Sequence, residues 1–290
     1  MEKISILTVV CKNQTITDFD EFMTSFKSTI TLPFELIIVD NGTDDSFQIK
    51  LKSICDMDDR IRIIRFPFNV GLGIAADTAV HSITTPYIFR IDSDVIFKTY
   101  GWADKILELS KKLDSVGSMC GRNVTTISSV NDLYVKTDVI IGYFQYVPKS
   151  AINIVSTFFR NVKLLLINEL DKRIEKNENK YPNYFKHLVQ LKTYFDRCEG
   201  YWDPNFFYGV DDFDYSLLLR YCGLNLYMVN NIGIFHKSTS EKSELKDIRH
   251  TTVSEGFRYF RTKWELIRDV LGDKDNIIFN QMSKIFGDFK

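Results

Sequence analysis

Cysteine is sparse and unpatterned in this sequence. The five residues Cys11, Cys55, Cys120, Cys198 and Cys222 are scattered, odd in number and form no Cys-x-x-Cys pair. This argues against a disulfide framework or a structural zinc site and fits a reducing compartment. Glycine and proline are also few, at 14 and 6. No internal repeat or low-complexity tract is present, which excludes a repeat array. No apolar run approaches the ~20 uncharged residues that cross a bilayer. The best candidate, Ile152 to Ile167, is broken by Arg160 and Lys163. Met1-Glu2-Lys3 leads straight into the apolar run Ile4 to Val10, so no leader peptide is expected. An excess of one charge is missing too. With 37 Lys+Arg against 38 Asp+Glu the net charge is -1, and no global basic field marks a nucleic-acid partner. What is present, 44% hydrophobic and 26% charged residues, excludes disorder as the main state. Phenylalanine (23) and tyrosine (14) are abundant.

The first 115 residues alternate between strand and helix patterns. Ile4 to Val10, Glu35 to Val39, Ile61 to Phe66 and Tyr87 to Ile91 read as strands. Between them, Phe19, Phe22, Met23, Phe26 and Ile30 recur at helical spacing, with Thr17 or Asp18 as the expected N-cap. Phe47, Leu51 and Ile54 mark a second helix, Gly71 to Ile83 an Ala-rich third, and Trp102 to Leu113 a fourth. Such alternation predicts parallel βαβ units with helices on both faces. Ligands then sit beyond the carboxyl ends of the strands, where Asn13, Asp40, Asn41, Asn69, Asp92 and Asp94 gather. The second half is less regular. Val139 to Val147 reads as a strand, and Ser150 to about Arg197 as helical with a charged elbow at Asp171 to Pro182.

Two acidic clusters carry chemistry. Asp92-Ser93-Asp94 follows the apolar fourth strand. Two carboxylates so close are costly to bury unpaired, and a hard cation such as Mn²⁺ or Mg²⁺ removes that cost and can bridge phosphate oxygens. The alternative is a turn whose acids cap backbone N–H groups. Trp202 to Tyr215 is the densest aromatic-acidic segment, with Asp211 and Asp212 at the start of a helix. The helix dipole favours an ionised carboxylate there, which suits a general base. The alternative is an acidic helix start beside an aromatic core.

Together these segments resemble the family 2 glycosyltransferases of GT-A fold. The resemblance rests on Ile37-Ile38-Val39-Asp40-Asn41-Gly42, Asn69-Val70-Gly71, Arg90-Ile91-Asp92-Ser93-Asp94, Trp202 to Asp214, and Phe257 to Trp264. It implies an α/β fold with a Rossmann-like, mostly parallel nucleotide-binding sheet and helices on both faces. Residues 1–247 would form that domain, with a helical insertion at about 150–197. Residues 248–290 would be a helical segment packed on it. The implied activity is inverting transfer of a sugar from a nucleotide diphosphate, a UDP-sugar first of all, to a hydroxyl of a glycan, lipid-linked glycan or protein. This is chemistry of polysaccharide and cell-envelope biosynthesis. By the same resemblance Thr8, Val10, Asp40, Asn41, Asn69, Gly71, Arg90, Asp92 and Ser93 would hold the donor. Asp94, Asp92 and His236 would hold Mn²⁺ or Mg²⁺, and Asp212 or Asp211 would be the base. Trp202 and Tyr208 are candidates for stacking on an acceptor. The chain departs from the family pattern at Asp211, where Glu is usual, at Cys11-Lys12, and at Asp77, where Asn is common.

Three other readings stay open on residues alone. Asp92-Ser93-Asp94-Val95 could be the nucleophile loop of a haloacid-dehalogenase-like phosphohydrolase. Gly71-Leu72-Gly73-Ile74-Ala75-Ala76 fits a dinucleotide fingerprint. A nucleotide-sugar-binding protein with a dead site is the third. The expected location is cytoplasmic. Glu255 to Leu271 mixes aromatics with Arg258, Arg261 and Lys263, which fits either core packing or peripheral contact at the inner face of a membrane.

Overall fold

The computed structural model describes residues 2–12, 14–123, 132–140, 142–177, 181–197, 199–237 and 246–287. Asn13 and Cys198 lie outside the described residues.

The central strand β1 (Ile4–Cys11) is buried along almost its whole length, as a strand covered on both faces must be. It pairs in parallel with β2 (Phe34–Asn41) on one side and β4 (Tyr87–Ile91) on the other. Strand β3 (Ile61–Phe66) extends the parallel part beyond β2. Past β4 the pairing becomes mixed. β8 (Phe144–Pro148) is antiparallel to β4, and β6 (Val116–Asn123) is antiparallel to β8 but parallel to β9 (Asn225–His236). The short β5 (Val95–Phe97) and β7 (Tyr134–Thr137) both pair antiparallel with β9. The chain leaves β1 for β2 and β3, then returns to β4 on β1's other side. That reversal opens a crevice at the carboxyl end of β1.

Helices α1 (Ile16–Thr29), α2 (Asp45–Met57), α3 (Leu72–Val80) and α4 (Trp102–Lys112) cover the sheet. The N-cap of α1 is Thr15, two residues before the expected position, because its hydroxyl accepts the Asp18 N–H at 3.0 Å. Phe22, Phe26, Phe89, Phe97, Trp102 and Phe144 form one aromatic cluster, with Phe97 stacked on Trp102 at 4.6 Å.

The region read as an insertion is a pair of helices, α5 (Lys149–Asn177) and α6 (Pro182–Arg197). By length and composition α5 is apolar enough to cross a membrane, although no single apolar run in the sequence reaches that length. Its Ala151, Ile152, Val155, Phe159, Leu166 and Leu170 are buried within the protein, whereas Ile154, Leu164 and Leu165 are exposed and 28% of its most apolar stretch is buried. Beyond α7 (Asp211–Tyr221) and β9 come α8 (Lys246–Leu271) and α9 (Ile277–Phe286). On α8 the aromatics Tyr259, Phe260 and Trp264 are buried, so core packing accounts for them and they offer no face to a membrane.

Helix α8 also buries a charge. Lys263 is fully enclosed and bridges Asp203 at 2.9 Å and Asp214 at 2.7 Å. The Trp264 indole donates to Asp214 and the Tyr259 hydroxyl to Asp203. Each buried carboxylate thus has an ionic partner and a neutral donor, the condition under which a buried ion pair is tolerated. Lys263→Met would leave two buried acids without their cation. It is expected to cost ~3–5 kcal/mol of unfolding free energy by urea denaturation. A loss under ~1 kcal/mol would match a solvent-screened pair instead.

Candidate active site

The crevice at the end of β1 is built by short polar side chains that bond to backbone. Asp40, at the end of β2, accepts the Thr43 N–H at 2.9 Å, and its other oxygen lies 3.7 Å from Arg65. It borders a cleft of about 410 Å³ lined also by Gln48, Lys52 and Arg65. Asn41 accepts the Val70 N–H at 2.8 Å and donates to Asn69 at 2.9 Å, and Asn69 in turn accepts the Gly71 N–H at 2.9 Å. Gly42 has φ +78°, and a Cβ there would stand 2.6 Å from the Phe68 carbonyl carbon, so the turn after Asn41 requires glycine. Thr8 and Val10 are buried in β1. Val10 offers no polar group, whereas the Thr8 hydroxyl is buried without a hydrogen-bond partner.

The glycines of Gly71-Leu72-Gly73 serve packing rather than a dinucleotide. A Cβ on Gly73 would meet the Phe206 carbonyl at 2.5 Å, and one on Gly71 the Phe207 ring at 2.7 Å. The Leu72 and Gly73 N–H groups donate to the carbonyls of Phe207 and Phe206. The start of α3 is therefore occupied by the loop that leads to Asp211.

Asp92-Ser93-Asp94 leaves β4 in a tight turn, with the Val95 N–H on the Asp92 carbonyl at 3.2 Å. Ser93 Oγ lies 3.0 Å from the Val9 carbonyl and 2.8 Å from Gln14 Oε1, and Gln14 Nε2 donates to the Ser93 carbonyl. The turn is latched to the end of β1. His236, the last residue of β9, sits opposite Val95 in the β5–β9 register. Its Nε2 is 3.1 Å from Asp94 and 3.7 Å from Asp92, and its ring stacks on Tyr143 at 4.7 Å. Burial opposes the imidazolium, but Asp94 and Asp92 outweigh it and hold the group above its ordinary value. Burial, with the Asp94 charge, pushes Asp92 up to about 6.

These three residues place one ligand atom each within 4.8 Å of the others. Two carboxylates and an imidazole suit a borderline-hard divalent cation. A second cluster, Asp77, His81 and Glu199, has the same makeup, but Arg197 already lies 2.7 Å from Asp77 and 2.6 Å from Glu199.

Arg90 joins this group to α7. It is buried in β4, 2.5 Å from Asp211 and 5.4 Å from the Trp202 ring centroid. Across the β4–β8 register stands Gln145, which accepts the Trp202 indole N–H at 2.9 Å. Trp202 is 1% exposed and packs on Tyr215, so it has no open face for a sugar. Of the two aromatics expected to meet an acceptor, only Tyr208 is exposed. Asp212 accepts N–H groups from Phe213 at 2.9 Å and Gly142 at 3.3 Å. Burial, then the neighbouring Asp211 charge, pushes its carboxyl up to about 6. Val210, just before α7, has φ +68°, a strained value for a β-branched residue, of the kind that marks functional turns.

Gly142 and Tyr143 were not foreseen. The stretch Val139 to Val147 read as one strand, but β8 begins only at Phe144. Before it, the Tyr143 carbonyl accepts the Asp92 N–H, the Tyr143 ring supports His236, and the Gly142 N–H holds Asp212. One turn therefore touches both acidic clusters. The run Val-Ile-Ile-Gly-Tyr-Phe-Gln-Tyr-Val is apolar almost throughout and carries no signal of such a turn beyond Gly142 itself.

The sequence profile of the glycosyl transferase family 2 matches residues 6–169, more than half of the chain. A curated protein of Haemophilus influenzae, named as an uncharacterized glycosyltransferase, is 28% identical over 120 residues, which is 41% of this chain and 37% of that relative. Among solved structures, S. aureus TarS 1-349 superposes with a TM-score of 0.59 at 10% identity, over 98% of this chain and 72% of that one. The mannosyltransferase PcManGT from Pyrobaculum calidifontis, solved with GDP-Man and Mn²⁺, gives 0.57 at 10% identity, over 99% and 76%. At that identity the likeness establishes the fold, which is GT-A.

Calorimetric titration with Mn²⁺ should show binding that Asp94→Ala weakens at least ~10-fold, while Glu199→Gln leaves it unchanged. Equal affinity in wild type and Asp94→Ala would remove Asp94 from the metal group.

Proposed function

Because this chain belongs to glycosyl transferase family 2, we propose that it moves a sugar, with inversion, from a nucleoside diphosphate to an acceptor hydroxyl. The observation that carries this reading is the turn at Gly142-Tyr143. It links Asp212 to the Asp92, Asp94 and His236 group through contacts of two successive residues, which supports reading them as a base and a metal-binding set on one space.

Inverting displacement needs a base on the acceptor side and neutralised charge on the leaving group. Asp212 supplies the base. It is partly exposed, fixed by two backbone N–H groups, and poised near neutrality by burial. Asp211 is committed to Arg90 and is the weaker candidate. Asp94, Asp92 and His236 would hold the divalent cation, Mn²⁺ or Mg²⁺. That ion, when bound, supplies positive charge at the diphosphate. Arg90 adds a fixed cation behind Asp211. Asp40 and the Asn41–Asn69 pair form the nucleotide end of the crevice, and a buried carboxylate at Asp40 suits the ring N–H of uracil. The donor is accordingly a UDP-sugar in this reading. The acceptor is a sugar hydroxyl of a glycan.

Asp212→Asn should lower transfer by ~10²–10⁴-fold while calorimetry shows unchanged binding of the sugar nucleotide. In the wild type, kcat/KM should fall about tenfold per pH unit below about 6, because the carboxyl must be ionised to accept the proton. Full activity of Asp212→Asn would refute its role. A wild type that binds sugar nucleotides with Mn²⁺ but neither transfers nor hydrolyses them would favour a binding protein.

A further inference from the structure

Helices α6 and α8 lie against each other, and two clefts that share His187 make a groove along their seam. Its inner cleft, about 360 Å³, is bounded by Ile74 of α3, by Phe207, and by Lys186, Gln190 and Glu255. Its outer cleft, about 580 Å³, is walled by Tyr181, Asn183 and Arg258. His187 lines both clefts. On α6 the outer cleft comes first along the chain, and on α8 it comes last, so the helices run antiparallel beside it. From Thr252 to Glu265 the groove follows α8 for roughly 20 Å at helical rise.

The inner end abuts the donor segment. Phe207 closes on Gly71, and its carbonyl holds the Leu72 N–H at 2.8 Å. Phe207 is nonetheless half-exposed. Four residues further along the same loop stands Asp211, and then Asp212. The floor is His187, buried, 3.3 Å from Glu255 and edge-on to Tyr259.

We propose that this groove binds an oligosaccharide, so that the acceptor is a glycan of several sugars whose end passes Phe207 to reach Asp212. This deepens, and rests on, the glycosyl-transfer reading. A sugar chain presents apolar ring faces and hydroxyl edges in alternation. The groove offers the matching set: the aromatic faces of Tyr181 and Phe207, and hydrogen-bonding groups on Asn183, Gln190, Lys186 and Glu255. An alkyl chain laid there would desolvate Lys186, Gln190 and Glu255 without replacing their hydrogen bonds. The wall formed by α6 lies outside the strand–helix units of the nucleotide-binding half, so the length preference belongs to this chain's own helical pair.

A glycan array running from monosaccharides to octasaccharides, probed with the full chain and no nucleotide, tests the proposal. Retention should rise with glycan length. Phe207→Ala should weaken retention of all lengths by ~5–10-fold, whereas Tyr181→Ala, at an exposed position, should weaken only the longer glycans and leave the melting temperature unchanged. Retention of no glycan would overturn the proposal. So would retention independent of length, or equal losses at all lengths in Tyr181→Ala. Binding of phosphatidylglycerol vesicles in place of glycans would overturn it in favour of a lipid surface. Length-dependent retention with no sugar transfer would support the groove and refute the transferase reading, which separates the two failures.

Discussion

The site depends on one buried guanidinium. Asp92, Asp94, Asp211 and Asp212 are drawn toward a single space, where His236 and Arg90 stand against them among the described residues. Four carboxylates so placed repel strongly where water is scarce. Arg90 answers part of that repulsion from inside the sheet, 2.5 Å from Asp211. Its position is over-determined: the strand fixes its backbone, Trp202 lies over it, and Gln145 fixes Trp202. The ion pair also ties the first acidic turn to the helix that carries the second, which no backbone hydrogen bond among those described does directly.

Lys263 repeats this logic three residues along the same face of α7. Asp211 is drawn to Arg90 and Asp214 to Lys263, each with the cation buried. The helix is pinned at two points of its first turn by cations from different parts of the chain. Asp212 stands between them, turned away from both toward Gly142. That Asp212 points elsewhere while its neighbours serve as anchors follows from the 100° step between successive helical residues. The strained Val210 is held in place by the same two anchors, and its carbonyl accepts the Asp214 N–H at 2.9 Å.

The parallel half of the sheet and the acids at its edge are legible because near-continuous apolar runs end in short polar turns, and those turns fall at the carboxyl ends of the strands. Asp92, Asp94 and His236 converge because β5 and β9 pair in one register. What was illegible depends on distant pairing. Tyr143 supports His236 only because β8, some fifty residues later in the chain, inserts antiparallel beside β4. Trp202 looked like an acceptor platform because an aromatic beside acids reads the same whether it faces water or a guanidinium. Lys263 looked like part of a basic face, and nothing local reveals that two acids some 50 and 60 residues earlier enclose it. The left-handed Val210 had no signal at all, since propensity argues against it.

The lock on α7 has a consequence for biosynthesis. Strands β1 to β4 all lie within Ile4 to Ile91, but the helix bearing Asp212 acquires its second anchor only when Lys263 and Trp264 have left the ribosome. Until then Asp203 and Asp214 have no cation and the loop through Val210 lacks what holds its strain. A polypeptide that stops short of Lys263 would therefore carry Asp212 on a helix with one of its two anchors missing.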